Sequence, residues 1–221
     1  MLQSYENKLK KVKDQIREIG NGLLKANELI LEALKSCDIK IFDEAKTYIK
    51  NVSKKTNDID NEIMKILALH APEARDLRQI ISYLKITNEL LRATINTRSF
   101  IRDFKGTCDE MDSEILKEYA KPLQISTTKA LDITMKMIDI DCVDELQDSL
   151  NQIIIEENKT DDLYEILEKS ILDGVHNSDD FKKIHKLLKA FRRSEKIADR
   201  AIGIANLLLF IKVGGAFQKV S

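Results

Sequence analysis

Glu195 and Asp199 stand four residues apart in the segment Arg193-Ser-Glu-Lys-Ile-Ala-Asp-Arg-Ala201, where the other inward positions are apolar. An ionised carboxylate withdrawn from water costs several kcal/mol unless a cation or donor compensates it. Chemistry is therefore to be sought here first. Residues i and i+4 share one helix face, with β-carbons about 5 to 6 Å apart, so both side chains can be aimed at a single point.

The chain that must position them is helical. Its 221 residues include only 7 Gly and 2 Pro and no Trp, which leaves little turn chemistry for a sheet. Apolar spacing near 3.6 predicts six long antiparallel helices. The first runs from about Glu6 to Ser36 and carries Ile16, Ile19, Leu23, Leu24, Ile30 and Leu34, with Gly20 and Gly22 loosening its middle. Asp38 is expected to cap a second helix from about Phe42 to Leu69, and Pro72 suits the first turn of a third that ends near Phe104. A fourth spans about Asp109 to Ile138 with Pro122 as a kink or break, a fifth about Val143 to Leu172, and a sixth about Asp179 to Val213 before Gly214-Gly215.

Three long helices, a break, and three more make an internal repeat. Leu77, Leu84 and Leu91 recur every seven residues in the third helix, as do Leu188, Glu195, Ile202 and Leu209 in the sixth. Aligning Leu91 with Glu195 also sets Asp76-Leu-Arg against Asp180-Phe-Lys, and Ile95 against Asp199. The expected architecture is all-α, two tandem three-helix bundles over residues 1–106 and 107–221.

Charge narrows the partners. Lys plus Arg number 36 against 37 Asp plus Glu, so no overall field draws in nucleic acid or an anionic membrane, and no aromatic residues interleave the basic ones for base stacking. Cys37, Cys108 and Cys142 have no metal-ligand spacing and are expected as small buried residues in a reducing compartment. The first residues lack the apolar core of a signal peptide, and no apolar run is long enough to span a bilayer, so a cytoplasmic protein is expected.

Ala71-Pro-Glu-Ala-Arg-Asp-Leu-Arg78, Lys85-Ile-Thr-Asn-Glu-Leu-Leu-Arg92 and Glu195-Lys-Ile-Ala-Asp-Arg200 give the chain, over nearly its whole length, a resemblance to the PhoU family of phosphate-signalling regulators. Lys196 and Ala198 stand where that family usually has arginine and glycine. The resemblance implies two tandem three-helix bundles. It also implies a non-enzymatic, homodimeric adaptor that restrains a sensor histidine kinase by contacting it and a phosphate transporter subunit, meeting the membrane only through those partners. Some members bind multinuclear iron or other metals through Glu/Asp-x-x-x-Asp pairs on two helices of each bundle. Residue by residue, that pattern carries over to Glu157 with Asp161 and to Glu195 with Asp199. In the first half the matching positions are Leu91 and Ile95, and Ile49 with Ser53 or Ser53 with Asn57, none a carboxylate. One metal site at most is expected.

Four converging carboxylates repel one another, and a hard cation such as iron, manganese, magnesium or calcium relieves them. Without histidine or thiol, zinc is disfavoured, and the Glu-x-x-His motifs of di-iron enzymes do not occur at His70, His176 or His185. Neighbouring Lys or Arg can satisfy the same carboxylates instead. The sixth helix carries a basic stripe of Lys182, Lys183, Lys186, Lys189, Arg193, Lys196 and Arg200, for which ion pairing with Glu156, Asp162, Glu165 and Glu168 of the fifth helix, or a solvated face, is expected. No nucleophile-base set or Gly-rich phosphate loop points to catalysis. The rivals are a metal-dependent enzyme, such as a phosphohydrolase using the four carboxylates, and a purely structural helical oligomer.

Overall fold

The computed structural model describes residues 2–36, 38–105, 113–172 and 178–215. They form only helices: α1 (Leu2–Ser36), α2 (Ile39–Tyr48), α3 (Val52–His70), α4 (Ala74–Phe104), α5 (Ser113–Ile115), α6 (Lys121–Met137), α7 (Val143–Leu172) and α8 (Ser178–Val213). No described helix is long and apolar enough to cross a membrane.

In α1 the buried residues Val12, Ile16, Ile19, Leu23, Ala26, Ile30 and Ala33 follow each other at three or four residues, so one stripe faces inward. Gly20 and Gly22 do not interrupt it. They permit close approach instead: a Cβ at Gly20 would lie 2.0 Å from Met135 Sδ of α6, and one at Gly22 would lie 2.7 Å from the Tyr48 carbonyl oxygen.

The expected second helix is divided in two. Asp38 caps α2 by accepting from the Lys40 amide at 2.8 Å, but Ile49 leaves the helix and Asn51 adopts a left-handed conformation, φ 59°, before α3 begins. Asn tolerates that conformation better than most residues, which is why a break forms without Gly or Pro. Pro72 does not open the third helix: Ala71, in a left-handed conformation, ends α3, Glu73 takes the N-cap, and α4 starts at Ala74. Pro122 breaks nothing. A π-helical turn, Leu116–Ala120, joins α5 to α6, and Pro122 occupies the first turn of α6, where a missing N–H costs little.

Helices α1 to α4 pack together, as do α6 to α8, while α1 also meets α6 and the most extensive contact joins α4 to α8 across the halves. Asn96 pairs with Arg193 and Glu89 with Arg200, so α4 and α8 run antiparallel. One end of this seam is sealed by Phe42, Phe100, Phe104 and Phe191, whose neighbouring ring centroids lie 5.4 to 5.8 Å apart.

Midway along the molecule four fully buried polar side chains form a chain through four helices. Asn27 (α1) donates to Thr97 (α4) at 3.2 Å, Gln124 (α6) donates to Asn27 Oδ1 at 3.2 Å, and Ser194 (α8) donates to Gln124 Oε1 at 2.6 Å. Within each half the bonded residues are 70 apart in sequence, and the two pairs stand 97 residues apart, seven short of the 104 that sets Leu91 against Glu195. Burial of these groups is tolerable because each has found a partner.

Two expectations fail on the surface. Leu77, placed in a sevenfold series with Leu84 and Leu91, is 41% exposed, because a straight helix drifts away from a strict seven-residue repeat. Cys142 is exposed rather than buried, following the end of α6, and Cys37 and Cys108 lie outside the described residues.

Candidate functional site

Antiparallel packing of α7 on α8 sets Glu157 and Asp161, one turn apart, opposite Asp199. One carboxylate oxygen from each of the three lies within 4.8 Å of the others. Glu157 and Asp199 are half-buried and Asp161 is exposed, so the group opens to solvent on one side.

Glu195, one turn before Asp199, is only 2% exposed and is answered by cations of its own helix. Its Oε1 accepts from Lys196 Nζ at 2.8 Å, and its Oε2 lies 3.1 Å from Arg192 Nε, close enough for an ion pair but without hydrogen-bond alignment. Lys196 Nζ also donates to Asp199 Oδ2 at 2.8 Å, so one ammonium bridges both acids of α8. Arg192 lies over the Tyr164 ring at 5.1 Å from its centroid. Burial and the nearby Glu168, to which its hydroxyl donates at 3.2 Å, push the Tyr164 phenol up to about 12.

Burial also pushes Glu157 up to about 7, with the charges of Asp161 and Asp199, a hydrogen bond to Asp199 and the charge of Glu195 adding to it. Glu195 is raised as well, chiefly by burial, with Lys196 working against the rise. For Lys196, burial would lower the ammonium, but hydrogen bonds to Asp199 and Glu195 outweigh it and hold the group above its ordinary value. Near neutral pH a proton on Glu157 thus does part of what a cation would do. The donor set is all oxygen, converges from two helices and reaches solvent, which fits a hard cation and not a soft one.

Among the described residues the first half offers no equivalent. Ile49 is buried, Leu91 is half-buried, Ile95 is 49% exposed, and Ser53 and Asn57 are exposed and neutral. Of the basic stripe of α8, Lys182, Lys186 and Lys189 are exposed, as the solvated-face alternative has it, but the expected pairing with α7 is not what its later members make. Arg193 and Arg200 reach α4, Lys196 serves its own helix, and Glu156 of α7 pairs with Lys159, its neighbour in α7. The expected alternative, in which neighbouring Lys or Arg answer the carboxylates, falls to Lys196 and Arg192, which the sequence analysis did not single out although Lys196 comes three residues before Asp199 and Arg192 three before Glu195, the spacing at which helix neighbours meet.

Comparison with known proteins sets this framework beside PhoU proteins. The PhoU domain model matches residues 16–97, within α1 to α4. The chain is 24% identical over 217 residues, 89% of its length and 97% of the relative's, to the phosphate-specific transport system accessory protein PhoU homolog of Borreliella burgdorferi. Its fold is that of PhoU from Pseudomonas aeruginosa, with a TM-score of 0.78, 21% identity, and 96% of this chain and 100% of that one covered. The phosphate transport system regulatory protein PhoU of Streptococcus pneumoniae is similar with a TM-score of 0.79 at 17% identity, covering 98% of this chain and 100% of that one. The motifs of α4 and these likenesses agree: the chain matches a PhoU domain over residues 16–97 and has the fold of PhoU proteins.

Proposed function

We propose that this protein is a non-enzymatic accessory regulator of phosphate transport and phosphate-starvation signalling. The observation that carries the reading is its similarity, along 89% of its length, to a protein named as an accessory of phosphate-specific transport. In this reading the regulator is cytoplasmic and homodimeric, and works by contact, its long helical faces docking a transporter subunit and a sensor histidine kinase. The halves 1–106 and 107–221 act as two bundles held together along α4 and α8. Deleting the gene should derepress phosphate-starvation responses in cells supplied with ample phosphate. An unchanged response would remove the proposal.

Glu157, Asp161 and Asp199 hold a hard divalent or trivalent cation in the same reading, with Glu195 as a fourth, Lys-bridged carboxylate behind them. The close approach of the three oxygens supports it. Metal content of protein purified without chelator should fall in a Glu157→Gln/Asp199→Asn variant; equal and negligible content in both proteins rules the cation out and leaves Lys196 as the site's counter-ion.

A further inference from the structure

We propose that the first bundle carries a binding site for a compact polyanion of the phosphate class, in the cleft where α2 breaks into α3 beside α4. The open cleft has a volume of about 590 Å³ and is lined by Lys46, Lys50, Asn51, Ser53, Lys54 and Arg98. Four of these six residues are cations and none is an acid.

Two acids nearby, Asp43 and Glu18, are engaged chiefly outside the cleft. Asp43 is held by Lys105 through bonds of 2.8 and 2.9 Å and reaches Lys46 only at 3.5 Å, and Glu18 is taken by Lys55. Asp58, one turn beyond Lys54 along α3, forms no ion pair with it and lies outside the lining. No ion pair engages Lys50, Lys54 or Arg98 among the described residues. Elsewhere in the fold Arg17, Lys25, Lys65, Lys136 and Lys159 each have an acid one turn away. In a chain with 36 basic and 37 acidic residues, four cations around one concavity, three of them in no ion pair among the described residues, leave a local positive field that an anion neutralises.

The break itself shapes the cleft. Arg98 donates a hydrogen bond to the Ile49 carbonyl and so fixes the end of α2, while left-handed Asn51 turns the chain into the 19-residue α3. The Asn51 side chain makes no capping bond, so the positive end of α3 adds to the same field. By size the cleft falls within the range of about 300 to 1,000 Å³ usual for small-ligand sites. A di- or triphosphate group fits within that room and can meet several cations at once, with lysines acting as point charges and Arg98 as a planar donor. Ser53, in the lining, is also the position that the internal repeat sets against the carboxylates of the second bundle. The inference does not depend on the regulatory reading.

The test is calorimetric titration of the full-length protein at fixed ionic strength with pyrophosphate, tripolyphosphate, inorganic phosphate and sulfate. A separate arm uses phosphatidylglycerol vesicles. Saturable binding of pyrophosphate or tripolyphosphate is expected, weakened at least tenfold by Lys50→Glu/Lys54→Glu at two exposed positions. It should persist in Lys186→Glu/Lys189→Glu, which changes net charge equally on exposed α8. Equal weakening by both pairs, no saturation by either polyphosphate, sulfate binding as tight as pyrophosphate, or capture by vesicles alone each overturns the proposal.

Discussion

Replacing Glu157 by Gln should stabilise the protein above neutral pH and hardly affect it in mild acid. The carboxyl rises from 4.5 to about 7 on folding because it is withdrawn from water beside Asp161, Asp199 and Glu195, with Lys196 and Arg192 engaged by the α8 acids. A raised acid favours the folded state's bound proton. Its penalty is absent below 4.5, grows as the unfolded chain ionises first, and is complete once pH passes about 7. At about 1.4 kcal/mol for each pH unit the full shift corresponds to about 3.5 kcal/mol. Because the carboxyl is half-buried and screened by water, about 1 to 2 kcal/mol is the working figure. For a chain of this size that is a rise in Tm of roughly 2 to 8 °C. Thermal melts of wild type and Glu157→Gln in chelator should show this rise at pH 8 and a small fraction of it at pH 5. The same shift at both pH values, or a lower Tm at pH 8, would show that crowding among carboxylates is not what perturbs Glu157. Added manganese at pH 8 should raise the Tm of wild type and leave the variant nearly unmoved.

Lys196→Met should lower stability by about 1 to 3 kcal/mol in urea unfolding, because it removes the hydrogen-bonded partner of a buried carboxylate, and should at the same time tighten manganese binding by freeing Asp199. Gln124→Ala leaves Asn27 Oδ1 and the Ser194 hydroxyl without their partner and should cost about 2 to 4 kcal/mol, whereas an Asn27→Leu/Gln124→Leu pair should recover much of that loss. Gly22→Ala should destabilise more than Gly20→Ala in matched melts, since the Tyr48 carbonyl facing Gly22 belongs to the backbone while the Met135 side chain facing Gly20 can swing aside.

The long helices were legible because apolar stripes and sparse Gly and Pro leave few other solutions. The break at residues 49–51 was not, since its only sign is an Asn in an otherwise helical pattern. Glu195 and Asp199 were readable as an acidic pair on an apolar helix, but the bridging ammonium of Lys196 depends on which way a flexible side chain folds back. The buried polar chain left a faint trace. Asn27 falls on the stripe of Leu23 and Ile30, a place where an amide signals a partner rather than solvent, while its partners Thr97, Gln124 and Ser194 look like any exposed helix residue until four helices are assembled.

The α4 to α8 seam makes a mechanical statement about the whole molecule. Helix α8 has 36 residues, about 54 Å at 1.5 Å per residue, and it is fastened to the first half by aromatic rings at one end and by Glu89 at Arg200 farther along. A body braced in this way transmits a push instead of folding under it. Two proteins gripping its opposite ends would feel each other through a strut of fixed length.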